Sequence, residues 1–297
     1  MENNKTTPTL DKDELLFDYG KDELHDPALY TVEAEAEKWE GYESIDAGAL
    51  DTYQRDGFMA VEHFFSTTAV ENAKAGIVDL VMGRYPDYFA SKKIMFETRA
   101  RERLASMGPE ERQDAVRKLM SFIDVEERLT RMGNDPRLLD AVSRLMGGLE
   151  PVIFQDMAML KPPSMGREKP WHQDHAYFDL PLGTPVVGVW IALDAATREN
   201  GCMHMLPGKQ HEPIIHFNRR DWQICDREML GQRCVAVPLQ PGGVLFFDSL
   251  CPHGTPHNHS GLRRRAVQFH YAPKDAVKCA AEERMAHFGS EGKDVTC

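Results

Sequence analysis

No stretch of the 297-residue chain approaches the roughly 18 consecutive apolar residues of a membrane-spanning helix. The opening MENNKTTPTLDKDELL lacks the basic start and apolar centre of a secretory leader. The final KDVTC does not read as a retention, peroxisomal or prenylation signal. A cytoplasmic protein with no membrane partner is the resulting expectation. Positive charge is scarce too, with 35 Lys and Arg against 47 Asp and Glu and a net charge of −12. Nucleic-acid binding needs a clustered basic surface, so no nucleic-acid partner is expected. The six cysteines, Cys202, Cys225, Cys234, Cys251, Cys279 and Cys297, form no CxxC pair. That argues against a thiolate zinc site and for free thiols in a reducing compartment.

What is present suits an ordinary globular protein, 42% hydrophobic and 28% charged, with enough chain for a sizeable core. Residues 1–45 are acidic and poor in apolar residues, and are expected to form an arm that is partly disordered or wraps the surface. Residues 46–297 are expected to form a single domain, with a helical part at 46–149, a β core at 150–275 and a tail at 276–297. YQRDGFMAVEHFFS reads as a helix end, a turn at Asp56-Gly57 and a strand. Thr68 and Glu71 have capping-box spacing ahead of a helical apolar period. Further helices are expected over roughly 109–131 and 136–146, the last ending at Gly147-Gly148. From about 150, short apolar runs such as TPVVGVWIAL and GGVLFFDSL alternate with Pro and Gly turns. This pattern predicts a mainly β fold, a jelly roll (double-stranded β-helix, cupin-like) with the N-terminal helices packed on one side.

Three features carry chemistry. In WHQDH, His172 and Asp174 are one residue apart, so within a strand they share a face. His253 follows the strand PGGVLFFDSLCP. An HxD pair with one distant histidine is the 2-His-1-carboxylate set that binds Fe(II) and leaves other positions open; zinc is the rival ion. Finally, alternation in RRAVQFHYA puts Arg264, Ala266, Gln268 and His270 on the face opposite Val267, Phe269 and Tyr271. An inward guanidinium needs an anion, which a small dicarboxylate would supply; otherwise Arg264 pairs with an internal Asp or Glu or reaches solvent.

With these residues goes a family resemblance. LKPP at 160–163, WHQD at 171–174, ENGCMHMLPGKQH at 199–211, PGGVLFF at 241–247 and HGTPHNHSGLRRRA at 253–266 occur in order. Together with DGFMAVEHFFS at 56–66 they resemble the phytanoyl-CoA dioxygenase family of Fe(II)- and 2-oxoglutarate-dependent oxygenases over about residues 50–275. The resemblance implies that His172, Asp174 and His253 hold Fe(II). It implies that Arg264 binds the distal carboxylate of 2-oxoglutarate, with Thr255 as a hydroxyl partner. Trp190 falls where the family places a tryptophan beside the co-substrate, and is otherwise a core aromatic. Gln173 is the family's usual middle residue, counted with the co-substrate site or supporting it from behind. Halogenating members lack the carboxylate ligand, so Asp174 implies hydroxylation or a related oxidation of a small molecule by O2, with release of succinate and CO2.

His175, His257 and His259 are expected to line or rim the mouth, and His270 is a candidate hydrogen-bonding residue in the pocket. Residues 216–233 form either a lid using Arg219, Arg220 or Trp222, or a solvated loop. A cupin-like metal-binding protein without turnover and a zinc hydrolase on the same scaffold are the competing functions. A mere metal-binding module has no need of a carboxylate clamp at position 264, and a zinc hydrolase would give no visible charge-transfer band with Fe(II) and 2-oxoglutarate. If the assignment holds, His172→Ala abolishes substrate-linked succinate formation; full activity in that variant refutes it.

Overall fold

The computed structural model describes residues 16–18, 23–32, 34–108, 111–289 and 297. Those parts of the expected arm at 1–15, 19–22 and 33, and of the tail at 290–296, lie outside the described residues.

The strands Val187–Ala192, Val244–Asp248 and Arg264–Pro273 of the β core are buried on both faces, and their two-residue period divides each between two clusters. Val187, Val189 and Ile191 enter one cluster, whereas Trp190 and Ala192 enter the other. Val244 and Phe246 are likewise separated from Leu245 and Phe247, and Val267, Phe269 and Tyr271 from Ala266. The first cluster lies against the helices and the second lies between two sheets.

The larger sheet among the described residues runs in the order Leu16–Phe17, Ile94–Phe96, Val116–Met120, Pro151–Lys161, Arg264–Pro273, Val187–Ala192, Val244–Asp248, Phe58–Glu62, Lys38–Glu40. The smaller runs Ala34–Glu35, Val235–Val237, Met203–Met205, His253–Thr255, Lys169–His172. The long pairings are antiparallel, as in Arg264–Pro273 on Pro151–Lys161. The result is the expected jelly roll with helices on one side.

Helix Thr67–Val81 buries Val70, Ala73, Ile77 and Leu80 at helical spacing. Its cap is Ser66, whose side chain accepts from Ala69 N, while Glu71 pairs with Lys74, so the expected Thr68–Glu71 box does not form. Helix Pro136–Leu145 has Asp135 as cap and Pro at its first turn.

The predicted helix at 109–131 is overturned. Val116–Met120 is a strand between Ile94–Phe96 and Pro151–Lys161, and among the described residues of the span only Glu127–Gly133 is α-helical. The cause is a bulge, since Met95 faces Lys118 but Phe96 faces Val116, leaving Arg117 without a partner across the pair. A bulge adds one residue to the strand period, so buried Val116 and Leu119 acquire a helix-like spacing of three. The first half is consequently less helical than its pattern predicts.

The described parts of the arm add edge strands to both sheets, and Tyr30 is buried, stacked on Trp171 at 5.6 Å. The expectation of six free thiols is also corrected. Cys225 and Cys297 form a disulfide across 72 residues, and Cys202, Cys234, Cys251 and Cys279 remain free. A pair so distant has no spacing signature. No described helix is long and apolar enough to cross a membrane.

At Gly188 the sheet tolerates no side chain, because a Cβ there would lie 2.3 Å from Phe247 Cζ. Gly188→Ala is expected to destabilise the fold by about 1–3 kcal/mol. Gly183→Ala, with nothing within 4 Å, should stay within about 0.5 kcal/mol of wild type. Urea unfolding of the two variants checks both values.

Candidate functional site

His172 ends the strand Lys169–His172, and directly across the ladder His253 begins His253–Thr255. The two rings lie 4.3 Å apart. Asp174 does not follow in the same strand, as the HxD spacing predicts, but opens a 3-10 turn over Asp174–Tyr177. The turn folds its carboxylate back, leaving Oδ1 3.3 Å from His172 Nε2 and Oδ2 3.6 Å from His253 Nε2. Donors about 2.1 Å from one ion lie roughly 3–3.4 Å apart, so these three buried groups are spaced to hold a metal ion.

The hydrogen bonds behind them select the ligand atoms. His172 Nδ1 meets Pro170 O at 2.8 Å and His253 Nδ1 meets Cys251 O at 2.9 Å. Each Nδ1 therefore carries the proton, and each Nε2 lone pair faces Asp174. Burial, reinforced by neighbouring His172, pushes His253 down to about 3. Burial pushes Asp174 upward, but His253, His270 and the His172 and His270 hydrogen bonds hold it well below the usual carboxylate range. His253 and Asp174 are thus in the unprotonated forms that metal binding requires.

Beside them is a cavity of about 140 Å³ between the sheets, roughly ten times what a single water needs. Arg264, Trp190 and Thr255 line it together with His172, Asp174 and His253. Arg264 is buried and lies over the Trp190 ring at 5.4 Å, yet its Nε and Nη1 have no partner among the described residues. The internal acid considered from the sequence is not there: Asp194 pairs with Arg265 instead, at 2.8 Å. Burial lowers Arg264 to about 10, which leaves it charged at neutral pH. Trp190 Nε1 is also unpaired. A buried guanidinium and indole N–H aimed into a cavity amount to a waiting anion site.

Gln173 does not line the cavity. Its Nε2 donates to Glu212 O and Leu250 O, and its Oε1 accepts from Ile214 N, so the side chain ties three loops together behind the site. That corrects its placement among co-substrate contacts, because no polar atom is left over. His175 is turned into the core on Ser249 and Leu180, and neither it, His257 nor His259 reaches the cavity.

The 216–233 segment is an ordered hairpin, His216–Asn218 with Trp222–Ile224, followed by the helix Asp226–Met229. Arg220 is buried against Glu168 and Asp226 at 2.7 and 2.5 Å, and neither Arg219, Arg220 nor Trp222 lines the cavity. Asp221 does, paired with Lys169 at 2.9 Å.

Two groups acquire a role that the sequence did not specify. Gln268 Nε2 donates to Asp174 Oδ2 at 3.1 Å, and His270 Nε2 reaches the same oxygen at 2.7 Å. Their inward position follows from strand alternation; their partner depends on the turn that returns Asp174.

This fold and site define a 2-oxoglutarate-dependent non-haem iron dioxygenase. More particularly, residues 53–266 match the model of the phytanoyl-CoA dioxygenase (PhyH) family, and the chain belongs to that family. It is 27% identical over 180 residues to a probable phytanoyl-CoA dioxygenase of Caenorhabditis elegans, covering 56% of this chain and 57% of that protein. It is 30% identical over 257 residues to L-proline trans-4-hydroxylase of Streptomyces griseoviridis, covering 77% of this chain and 88% of the relative. EctD from S. alaskensis, solved with 2-oxoglutarate and 5-hydroxyectoine, shares the fold at a TM-score of 0.62 and 21% identity, covering 91% and 86% of the two chains.

Removing the His270 contact should loosen the Asp174 carboxylate. His270→Ala is expected to weaken metal binding roughly ten- to hundredfold, measured by Co(II) titration. Unchanged affinity would show that Asp174 needs no such support.

Proposed function

We propose that His172, Asp174 and His253 hold Fe(II), that Arg264 anchors the distal carboxylate of 2-oxoglutarate, and that the chain oxidises a C–H bond of a small organic molecule. The observation that carries this reading is the buried, unpartnered Arg264 fork facing the same cavity as a three-donor metal set. Imidazole and carboxylate donors suit Fe(II), and three protein ligands leave positions for other groups. Iron with 2-oxoglutarate and O2 supplies the oxidising power for an unactivated C–H bond, with succinate and CO2 as co-products.

The protein's own contribution is geometric and electrostatic. Pro170 O and Cys251 O fix the two imidazoles with Nε2 presented, while Gln268 and His270 aim the carboxylate. Arg264 offers a planar donor fork to a carboxylate, stacked on Trp190 so that little freedom is lost on binding. Thr255, on the strand that His253 begins, adds a hydroxyl at the cavity wall. Trp190 and Met203 are buried side chains of the cavity wall. Small-molecule acids and their derivatives are substrates among the relatives, as L-proline is for the Streptomyces griseoviridis enzyme.

Anaerobic addition of Fe(II) and 2-oxoglutarate should give a weak visible charge-transfer band. Arg264→Met should raise the 2-oxoglutarate concentration for half-maximal absorbance by roughly ten- to hundredfold, the value of a charge-assisted contact. No band in the wild type, or no shift in the variant, would remove the reading.

A further inference from the structure

The cavity is far more basic than the protein that encloses it. Arg117, Lys161, Arg167 and Lys169 line it, as do Lys118 and Arg264. The first four are committed. Arg117 and Arg167 pair with Asp18, at 3.2 and 2.5 Å. Lys169 pairs with Asp221 and the Tyr177 hydroxyl, at 2.9 and 3.0 Å. Lys161 donates to Arg167 O and Pro256 O, both at 2.6 Å. Arg264 is accounted for by the co-substrate. Lys118 is not, since its ammonium has no hydrogen bond or ion pair among the described residues.

The position of Lys118 follows from the bulge that hid this strand. Lys118 faces Met159, which faces Ala266 on the next strand, and Ala266 belongs to the cluster between the sheets. The Lys118 side chain therefore leaves on the cavity face. Arg264 lies two strand spacings away and two residues along, opposite Lys161. Ladder dimensions put the two Cα atoms about 12 Å apart. A five-carbon diacid with one end at the metal and the other on Arg264 does not extend to Lys118 as well. Apolar Met95, Met157, Met159 and Phe178 line the same cavity as Lys118 and the metal set.

We propose that Lys118 anchors the substrate, and that the substrate carries a carboxylate at Lys118 on an apolar body packed against Met95, Met157, Met159 and Phe178. The inference rests on the oxygenase reading for where the reacting carbon lies. Lys118 is partly buried on the cavity wall, and an ammonium there without a paired anion gains from a ligand that supplies the charge. Burial, with Lys169 and Arg117 nearby, pushes Lys118 down to about 8, against Asp221 and Asp174, so a bound anion would restore a stable charge. One point charge matches one carboxylate. A phosphate dianion would leave an uncompensated charge facing Asp221 and Asp174, and it favours several converging donors.

The test uses the protein with Fe(II) and saturating 2-oxoglutarate under anaerobic conditions, so that Arg264 is filled. The probes are hexanoic, cyclohexanecarboxylic and 3-phenylpropanoic acids, each beside its primary amide, with binding measured by calorimetry. At least one acid should bind roughly tenfold or more tightly than its amide. Lys118→Met should lose that preference, Lys118→Arg should retain part of it, and 2-oxoglutarate half-saturation should stay within about twofold. Lys118→Met removes an unpaired cation and should melt no lower than wild type. Acids that bind no better than amides, or not at all, would overturn the proposal, as would a preference that survives in Lys118→Met. If the wild type does not bind 2-oxoglutarate, the oxygenase reading fails alone, and the same acid–amide comparison on the protein without it still decides the role of Lys118.

Discussion

The strand Arg264–Pro273 lies between Pro151–Lys161 and Val187–Ala192 and is buried on both faces. Its two-residue period forces a division. Val267, Phe269 and Tyr271 must pack toward the helices, so Arg264, Ala266, Gln268 and His270 must face the smaller sheet. A slip of one residue would bury three polar groups against the helices and expose the apolar ones to the cavity. Register on this strand therefore specifies at once the core, the support for Asp174 and the anchor for an anion.

The metal set depends on that register through the turn after His172. His172 and His253 are cross-strand partners on the smaller sheet, and Asp174 is returned to them by the 3-10 turn Asp174–Tyr177. Gln268 and His270 meet it from the larger sheet. The two sheets are joined at the site by the same carboxylate that completes the donor set. Polar groups so buried are stable only when mutually satisfied, which ties the fold's integrity to the site's geometry. Arg264 stands outside that satisfaction, its Nε and Nη1 buried without a partner among the described residues, and Lys118 lines the same cavity without an ion pair among them. They lie on strands on either side of Pro151–Lys161.

Much of this was legible from local pattern. The strands at 187–192, 244–248 and 264–273 declared themselves by apolar runs between Pro and Gly, and the inward row from Arg264 to His270 by simple alternation. Pattern failed where the backbone left its regular period. The bulge opposite Met95 and Phe96 made Val116–Met120 look helical and concealed Lys118. Gln173 sat within the most informative motif yet turned its amide to three backbone groups. The disulfide between Cys225 and Cys297 had no spacing to announce it.

By itself, the sequence determined the jelly-roll class, the residue types of the donor set and the strand face that carries Arg264, because each rests on a periodicity or motif written within a few neighbouring residues. Only the tertiary structure decided that Arg264 lacks an internal acid, that His270 and Gln268 hold Asp174, and which of the six cavity cations are paired within the protein. Those are questions of which charges meet across strands far apart in the chain, and partnership at a distance leaves no local trace.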